Sequence, residues 1–139
     1  DRQHKDLPPA DIYEAFIDHY VDGRAPLELV TYKEIVLKNH EDVAIEAECN
    51  FNGKPLTLKG TGNGIISALC HAIEEYFNIV MEVVDYREHS MSHGTKSRAI
   101  SYIQIADNEG GIYFGAGTSS NITKSGLRAV VSTTNKIIR

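Results

Sequence analysis

The chain has 139 residues, enough for one domain with a modest core. Hydrophobic residues make up 42% and charged residues 24%, as in ordinary globular proteins, and a net charge of −5 with no separate cluster of Lys and Arg argues against a nucleic-acid binder. Apolar runs extend only a few residues, which excludes a membrane-spanning helix, and no signal-like segment is present.

The polar start, Asp1-Arg2-Gln3-His4-Lys5-Asp6, lacks a Met and is what a piece of a longer protein would show. Pro8-Pro9 lead into a stretch where Ile12, Phe16, Ile17 and Tyr20 recur at helical spacing, with acidic residues early where the helix dipole favours them. A short amphipathic helix is predicted over about 9–20, ended by Gly23 and Pro26. Residues 27–38 are rich in Leu, Val, Ile, Tyr and Thr and read as a strand. After the polar turn 39–42, Val43, Ile45, Ala47, Cys49 and Phe51 alternate with polar or small residues, the pattern of a half-buried strand. Asn52-Gly53 is a two-residue hairpin turn, and Leu56 and Leu58 carry a third strand. Beyond Gly60-Thr61-Gly62-Asn63-Gly64, a helix is expected with Ile65, Ile66, Leu69, Ala72, Ile73 and Tyr76 on one face.

The pattern then recurs. Leu27 to Glu34 reads against Met81 to Glu88 at an offset of 54, and Gly60-Thr61-Gly62 reads against Gly115-Ala116-Gly117 at 55, as does Ala44-Ile45 against Ala99-Ile100. Strands are expected near 79–91, 97–106 and 111–116, and a helix over about 120–138 whose inward face holds Leu127, Val130, Val131 and Thr134. A repeat of this length is one supersecondary unit used twice. The fold predicted is α+β: two pseudo-symmetric βββα units, about 26–78 and 79–139, preceded by a short linker helix. Two three-stranded sheets, each covered by one helix, leave faces that require the halves to pack together and to meet a second chain.

Candidate sites follow from these elements. Gly60-x-Gly62-x-Gly64 opening a helix suits an anion, because free N–H groups and the dipole converge there. As a nucleotide fingerprint it is weak, since a meander rather than a βαβ unit precedes it. The plainer account is a tight strand-to-helix turn with Asn63 as cap; between the two stands a carboxylate held by backbone amides. His89 and His93 are four apart along a strand, about 13 Å, too far to share an ion. Asp85-Tyr86 could hold a polar ligand or be an ordinary strand pair. No serine sits in a nucleophile-elbow context. Cys49 and Cys70 read as reduced, buried thiols of a cytoplasmic protein, with no adjacent basic residue to activate them. The residues alone describe a ligand-binding or assembly domain rather than an enzyme.

Gly62-Asn63-Gly64, the run Val83-Val84-Asp85-Tyr86-Arg87-Glu88-His89-Ser90-Met91, and the closing Gly115-x-Gly117 with Ser125-x-Leu127-Arg128-Ala129-Val130 together carry a family signature. From about residue 26 to its end the chain resembles the C-terminal regulatory domain of 2-isopropylmalate synthases, enzymes of leucine biosynthesis. Residues 9–22 are similar to the end of the helical linker joining that domain to a catalytic (β/α)₈ barrel, so 1–25 is assigned to the linker. The resemblance implies a parent acyltransferase joining acetyl-CoA to 2-oxoisovalerate at a divalent metal in the barrel. It implies no cofactor and no synthase activity in this chain, a homodimer, contact with the barrel through the linker, and leucine as feedback effector. Carried over position by position, the leucine site would use Gly62, Gly64, Ile66 and Ser67 at the first helix start. Val83, Asp85, Tyr86 and Ser90 would come from the fourth strand, Ser97 from the fifth, and Ile122 from the last helix. Ile65 stands where the family commonly has proline, and Ser90 and Ser97 where it commonly has alanine. The isoleucine-sensing domain of citramalate synthase shares the fold and is the alternative, as is a dimerisation module without a ligand.

Overall fold

The computed structural model describes residues 26–93 and 96–138. The linker helix expected over 9–20 lies outside them. The first unit contains β1 (Leu27–Val36), β2 (Val43–Phe51), β3 (Lys54–Gly62) and α1 (Ile65–Phe77). The second contains β4 (Glu82–His93), β5 (Lys96–Ala106), β6 (Ile112–Ser119) and α2 (Ile122–Ile137). Each unit is an antiparallel meander, β1-β2-β3 or β4-β5-β6, followed by its helix, so the predicted βββα duplication is the observed fold. Asn52 and Gly53 take φ of 54° and 82°, the positive pair that a two-residue hairpin needs to match the strand twist.

The repeat extends to a shared irregularity. In β1 the register passes from Leu29↔Cys49 to Thr31↔Glu48, leaving Val30 as an extra residue. In β4 it passes from Val83↔Ile105 to Asp85↔Gln104, leaving Val84. The two bulges are 54 residues apart, the offset visible in the sequence. Each lets residues three apart face the same side: Leu29 with Tyr32, and Val83 with Tyr86.

The glycine pairs serve close approach rather than a turn. Gly60 and Gly62 lie inside β3 against α1, where an added Cβ would sit 2.5 Å from the Ala68 carbonyl oxygen or 2.7 Å from the Ala68 nitrogen. Gly115 and Gly117 hold the same places in β6 against α2. The match of Ala44-Ile45 to Ala99-Ile100 is not structural: Ile45 sits opposite Gly60 and Ile103 opposite Gly115, so the second strands correspond at an offset of 58. The β4–β5 hairpin is longer than its counterpart, and the period-2 pattern of a strand does not register that change.

One core spans both units. Leu27, Ile45, Leu58, Leu69 and Ile73 of the first unit join Ile105, Leu127 and Val130 of the second in a single buried cluster. Helix α2 touches α1 and β1 as well as its own sheet. Leu127, Val130, Val131 and Thr134 are buried as expected, whereas Tyr76 is 53% exposed and only edge-packs on Phe77. The seam has paired hydrogen bonds. The Leu27 N–H donates to Asn135 Oδ1 at 2.9 Å, and the Met81 N–H donates to Glu74 Oε2 at 2.7 Å. Met81 is the repeat partner of Leu27. Glu74 stands to Asn135 as Ala68 stands to Ala129, the residues under Gly60 and Gly115. Each helix thus ties the chain where a first strand begins.

Candidate effector site at the start of α1

Gly64 is the N-cap of α1, in extended conformation (φ −168°), and no side chain caps the helix. Asn63, expected as a possible cap, is exposed and does not serve. The Ala68 N–H bonds back to the Gly64 carbonyl, and ahead of it the first-turn N–H groups have no helical acceptor. They open on a cleft of about 580 Å³ whose lining includes Gly64, Ile66, Ser67, Glu74 and Val83. Partial positive charge from the dipole, a free backbone edge and an apolar wall therefore meet in one place. Helix α2 differs: Asn121 Oδ1 accepts from the Lys124 N–H at 3.0 Å, closing its first turn.

The pairing of β4 with β5 sorts the remaining candidates. Val83, Tyr86 and Ser90 lie opposite Ile105, Ile103 and Ala99, all buried, and so share the helix-facing side of the sheet. Ser97 pairs with Ser92 on that side and is exposed further out along the hairpin. Ser90 is four residues past Tyr86, roughly 13 Å along the strand. Asp85 faces the other way, opposite Gln104, and its Oδ2 accepts from Arg87 Nε at 3.1 Å. Tyr86 and Ile66 converge under α2: a Cβ at Gly126 would lie 2.3 Å from Tyr86 Oη and 2.9 Å from Ile66 Cδ1. Ile122 is one helical turn before Gly126 and 42% exposed. Gly62, Gly64, Ile66, Ser67, Val83 and Tyr86 therefore gather at one corner. Ile122 lies one turn before Gly126, Ser90 and Ser97 lie further out along the β4–β5 hairpin, and Asp85 lies behind the sheet.

A polar relay that the sequence did not disclose runs through this corner. Tyr86 Oη donates to Glu88 Oε2 at 2.7 Å and lies 3.3 Å from Ser101 Oγ. Ser101 Oγ is 2.7 Å from Ser125 Oγ, and the Ser125 hydroxyl donates to the Ile122 carbonyl at 2.7 Å. Both serines are fully buried. Their one trace in the sequence is Ser101 interrupting the alternation Ala99, Ile103, Ile105. Burial raises the Tyr86 pKa to about 12, Ser101 opposes the shift and Glu88 adds to it, so the phenol stays protonated as a donor.

The thiols are chemically quiet. Burial pushes Cys49 up to about 11 and Cys70 up to about 12, with Glu48 and Glu74 adding repulsion. At pH 8, iodoacetamide should label neither cysteine in the folded chain and both in denaturant. Rapid labelling of Cys70 in native buffer, read by mass spectrometry, would contradict that burial. Because both folded pKa values exceed the ordinary 9, this contribution to stability is complete below about pH 9 and fades as pH climbs towards 11–12. Among the described residues no three His, Cys, Asp or Glu side chains gather to hold a metal, and the His89 ring edge-packs on Tyr102. No helix of the described residues is long and apolar enough to cross a membrane.

Comparison with known proteins agrees with this architecture. The sequence model described as the LeuA allosteric (dimerisation) domain matches residues 6–138. A 2-isopropylmalate synthase of Acetoanaerobium sticklandii is 43% identical over 99% of this chain, and one of Rhizobium johnstonii is 39% identical over 99%. One of Clostridium acetobutylicum is 33% identical over 94%. The chain spans about a quarter of the length of these relatives, 24%, 25% and 24% respectively. The match of that sequence model over residues 6–138 places this chain, with its duplicated βββα fold, in the LeuA allosteric (dimerisation) domain family.

Proposed function

We propose that this chain is the leucine-sensing regulatory domain of a 2-isopropylmalate synthase. The observation that carries the reading is the uncapped start of α1 opening on a cleft walled by Ile66 and Val83. A carboxylate is the natural occupant of such a start, and the apolar wall suits an isobutyl group. Gly62, Gly64 and Ser67 shape the carboxylate end. Val83, Ile66 and Ile122 enclose the side chain and Tyr86 forms a wall, while Asp85, turned to the other face of the sheet, is left out and Ser90 and Ser97 lie further out along the hairpin. The Ile122 carbonyl already accepts the Ser125 hydroxyl, which leaves it a shared acceptor for the ligand.

In this reading residues 1–25 end a linker to a catalytic barrel, the protein is a cytoplasmic homodimer, and condensation of acetyl-CoA with 2-oxoisovalerate takes place in the barrel. The divalent metal implied by the resemblance belongs to that barrel. Leucine inhibits by binding more tightly to the conformation in which the barrel is less active. A coupling of about 1–3 kcal/mol gives a 5–150-fold effect.

Calorimetric titration with leucine, isoleucine and valine, beside Tyr86→Ala, tests this. Leucine-selective binding at one site per chain, weakened at least tenfold in the variant, is expected; the cap on α2 is why the second unit adds no second site. Isoleucine preference would move the parent to citramalate synthesis. Binding of none of the three would leave a dimerisation module.

A further inference from the structure

We propose that residues 9–20 of this chain seat their apolar side on the outer face of the second sheet. This surface is distinct from the cleft at the start of α1. The two copies of the unit have unlike outer faces. On the first sheet Lys33, Glu46 and Lys59 point outward and pair at 4.0 and 3.9 Å, and Glu48 accepts from Thr57. Charges of both signs suit that face to water. On the second sheet the outward positions hold Met91, Ile100, Tyr102, Phe114 and Ala116, since Ile103, Ile105, Gly115 and Gly117 face the core or α2.

Among the described residues no helix or strand lies on that outer face, because α2 covers the other one. Ile100 is nevertheless 0% exposed, and Ala116 and Thr118 are buried beside it. With Met91 and Tyr102, Ile100 forms an apolar cluster separate from the main core. Flanking side chains shield such a cluster only from the sides, so it needs a cover above the sheet. Residues 9–20 have the chemistry for that cover. Ile12, Tyr13, Phe16, Ile17 and Tyr20 share one side at helical spacing, and Asp11, Glu14 and Asp18 share the other. They also have the reach. The Pro26 carbonyl accepts the Asn52 N–H, and the Leu27 N–H is tied to Asn135. Next along α2, Lys136 donates to the carbonyl of Phe114 in the edge strand β6. The chain therefore enters the described fold beside the edge where the outer face begins. Ile100 lies opposite Thr118, about 13 Å along β6 from Phe114. Residues 21–25 extend up to about 17 Å and a helix over 9–20 adds about 18 Å, enough to round that edge and lie over Ile100.

The test reads the Ile100 methyl by NMR in the whole chain with labelled isoleucine methyls. Nuclear Overhauser contacts from the Ile100 δ1 methyl to the ring of Phe16 or Tyr20 are expected. Phe16→Ser should shift the Ile100 resonance while those of Ile45 and Ile73, in the main core, stay in place and show that the fold survives. The melting temperature of that variant should fall by roughly 4 °C or more, with no fall for Asp18→Asn on the polar side. An Ile100 methyl that touches no residue of 9–20, or that does not move in Phe16→Ser, would overturn the proposal. Contacts that arise only between labelled and unlabelled chains in a mixed sample would overturn it in favour of a second copy as the cover.

Discussion

Gly117→Ala is expected to destabilise the domain by about 3 kcal/mol, lowering its melting temperature by roughly 10 °C. The new Cβ would lie 2.5 Å from both the Ala129 nitrogen and the Ser125 carbonyl oxygen. These are backbone atoms of α2, so relief requires the helix to leave its sheet, and α2 is buried on most of its circumference. Gly60→Ala meets α1 in the same way, at 2.5 Å from the Ala68 carbonyl oxygen. Gly64→Ala is the control, because its Cβ would find nothing within 4 Å; losing a better N-cap residue should cost less than about 1 kcal/mol. Thermal melts of the three variants decide the matter. If Gly117→Ala melts with wild type, the helix is not seated as described, and the account of both glycine pairs fails.

Gly64→Asp should separate stability from binding. The backbone there is extended, as an N-cap requires, and space for the side chain is open. The new carboxylate would cap the orphan N–H groups and face the positive end of the dipole, adding from a few tenths to about 1 kcal/mol of stability. It would also occupy the place proposed for the effector's carboxylate and repel it. Leucine affinity should fall at least about 100-fold while the melting temperature holds or rises, taking roughly 3 kcal/mol of lost binding as the scale. Since the variant is no less stable, unfolding cannot explain the loss. Undiminished leucine binding in Gly64→Asp would place the carboxylate somewhere other than the start of α1.

Much of this was legible in the chain. Strand alternation in 43–51, the Asn52-Gly53 turn and the helical spacing after Gly64 are local signals, each produced by neighbours in sequence. The duplication was visible because the two copies meet the same local demands, down to bulges at Val30 and Val84. The glycines were visible too, but their reason was not. In sequence Gly60 and Gly62 suggest a tight strand-to-helix turn or an anion-binding helix start, whereas they are places where a helix backbone rests on a strand. Tyr76 fits the apolar spacing of α1 yet stays 53% exposed, because no element among the described residues covers that part of the helix. Adjacency in sequence offers Asp85 and Tyr86 as a polar site or as an ordinary strand pair, and the strand turns the two to opposite sides.

By itself, the sequence determined the two βββα units, their approximate boundaries, the glycines at their strand-to-helix junctions and the family signature. All of these depend on residues a few positions apart or on a copied pattern. The tertiary structure decided which faces meet: the seam ties at Leu27 and Met81, the convergence of Ile66, Tyr86 and Gly126, and the buried hydroxyls of Ser101 and Ser125. Those serines are 24 residues apart and individually unremarkable in sequence. Burial and hydrogen bonding belong to pairs of elements, and such pairs exist only once α1, α2 and β4 have packed, since a side chain's partner across a seam leaves no mark on its neighbours along the chain.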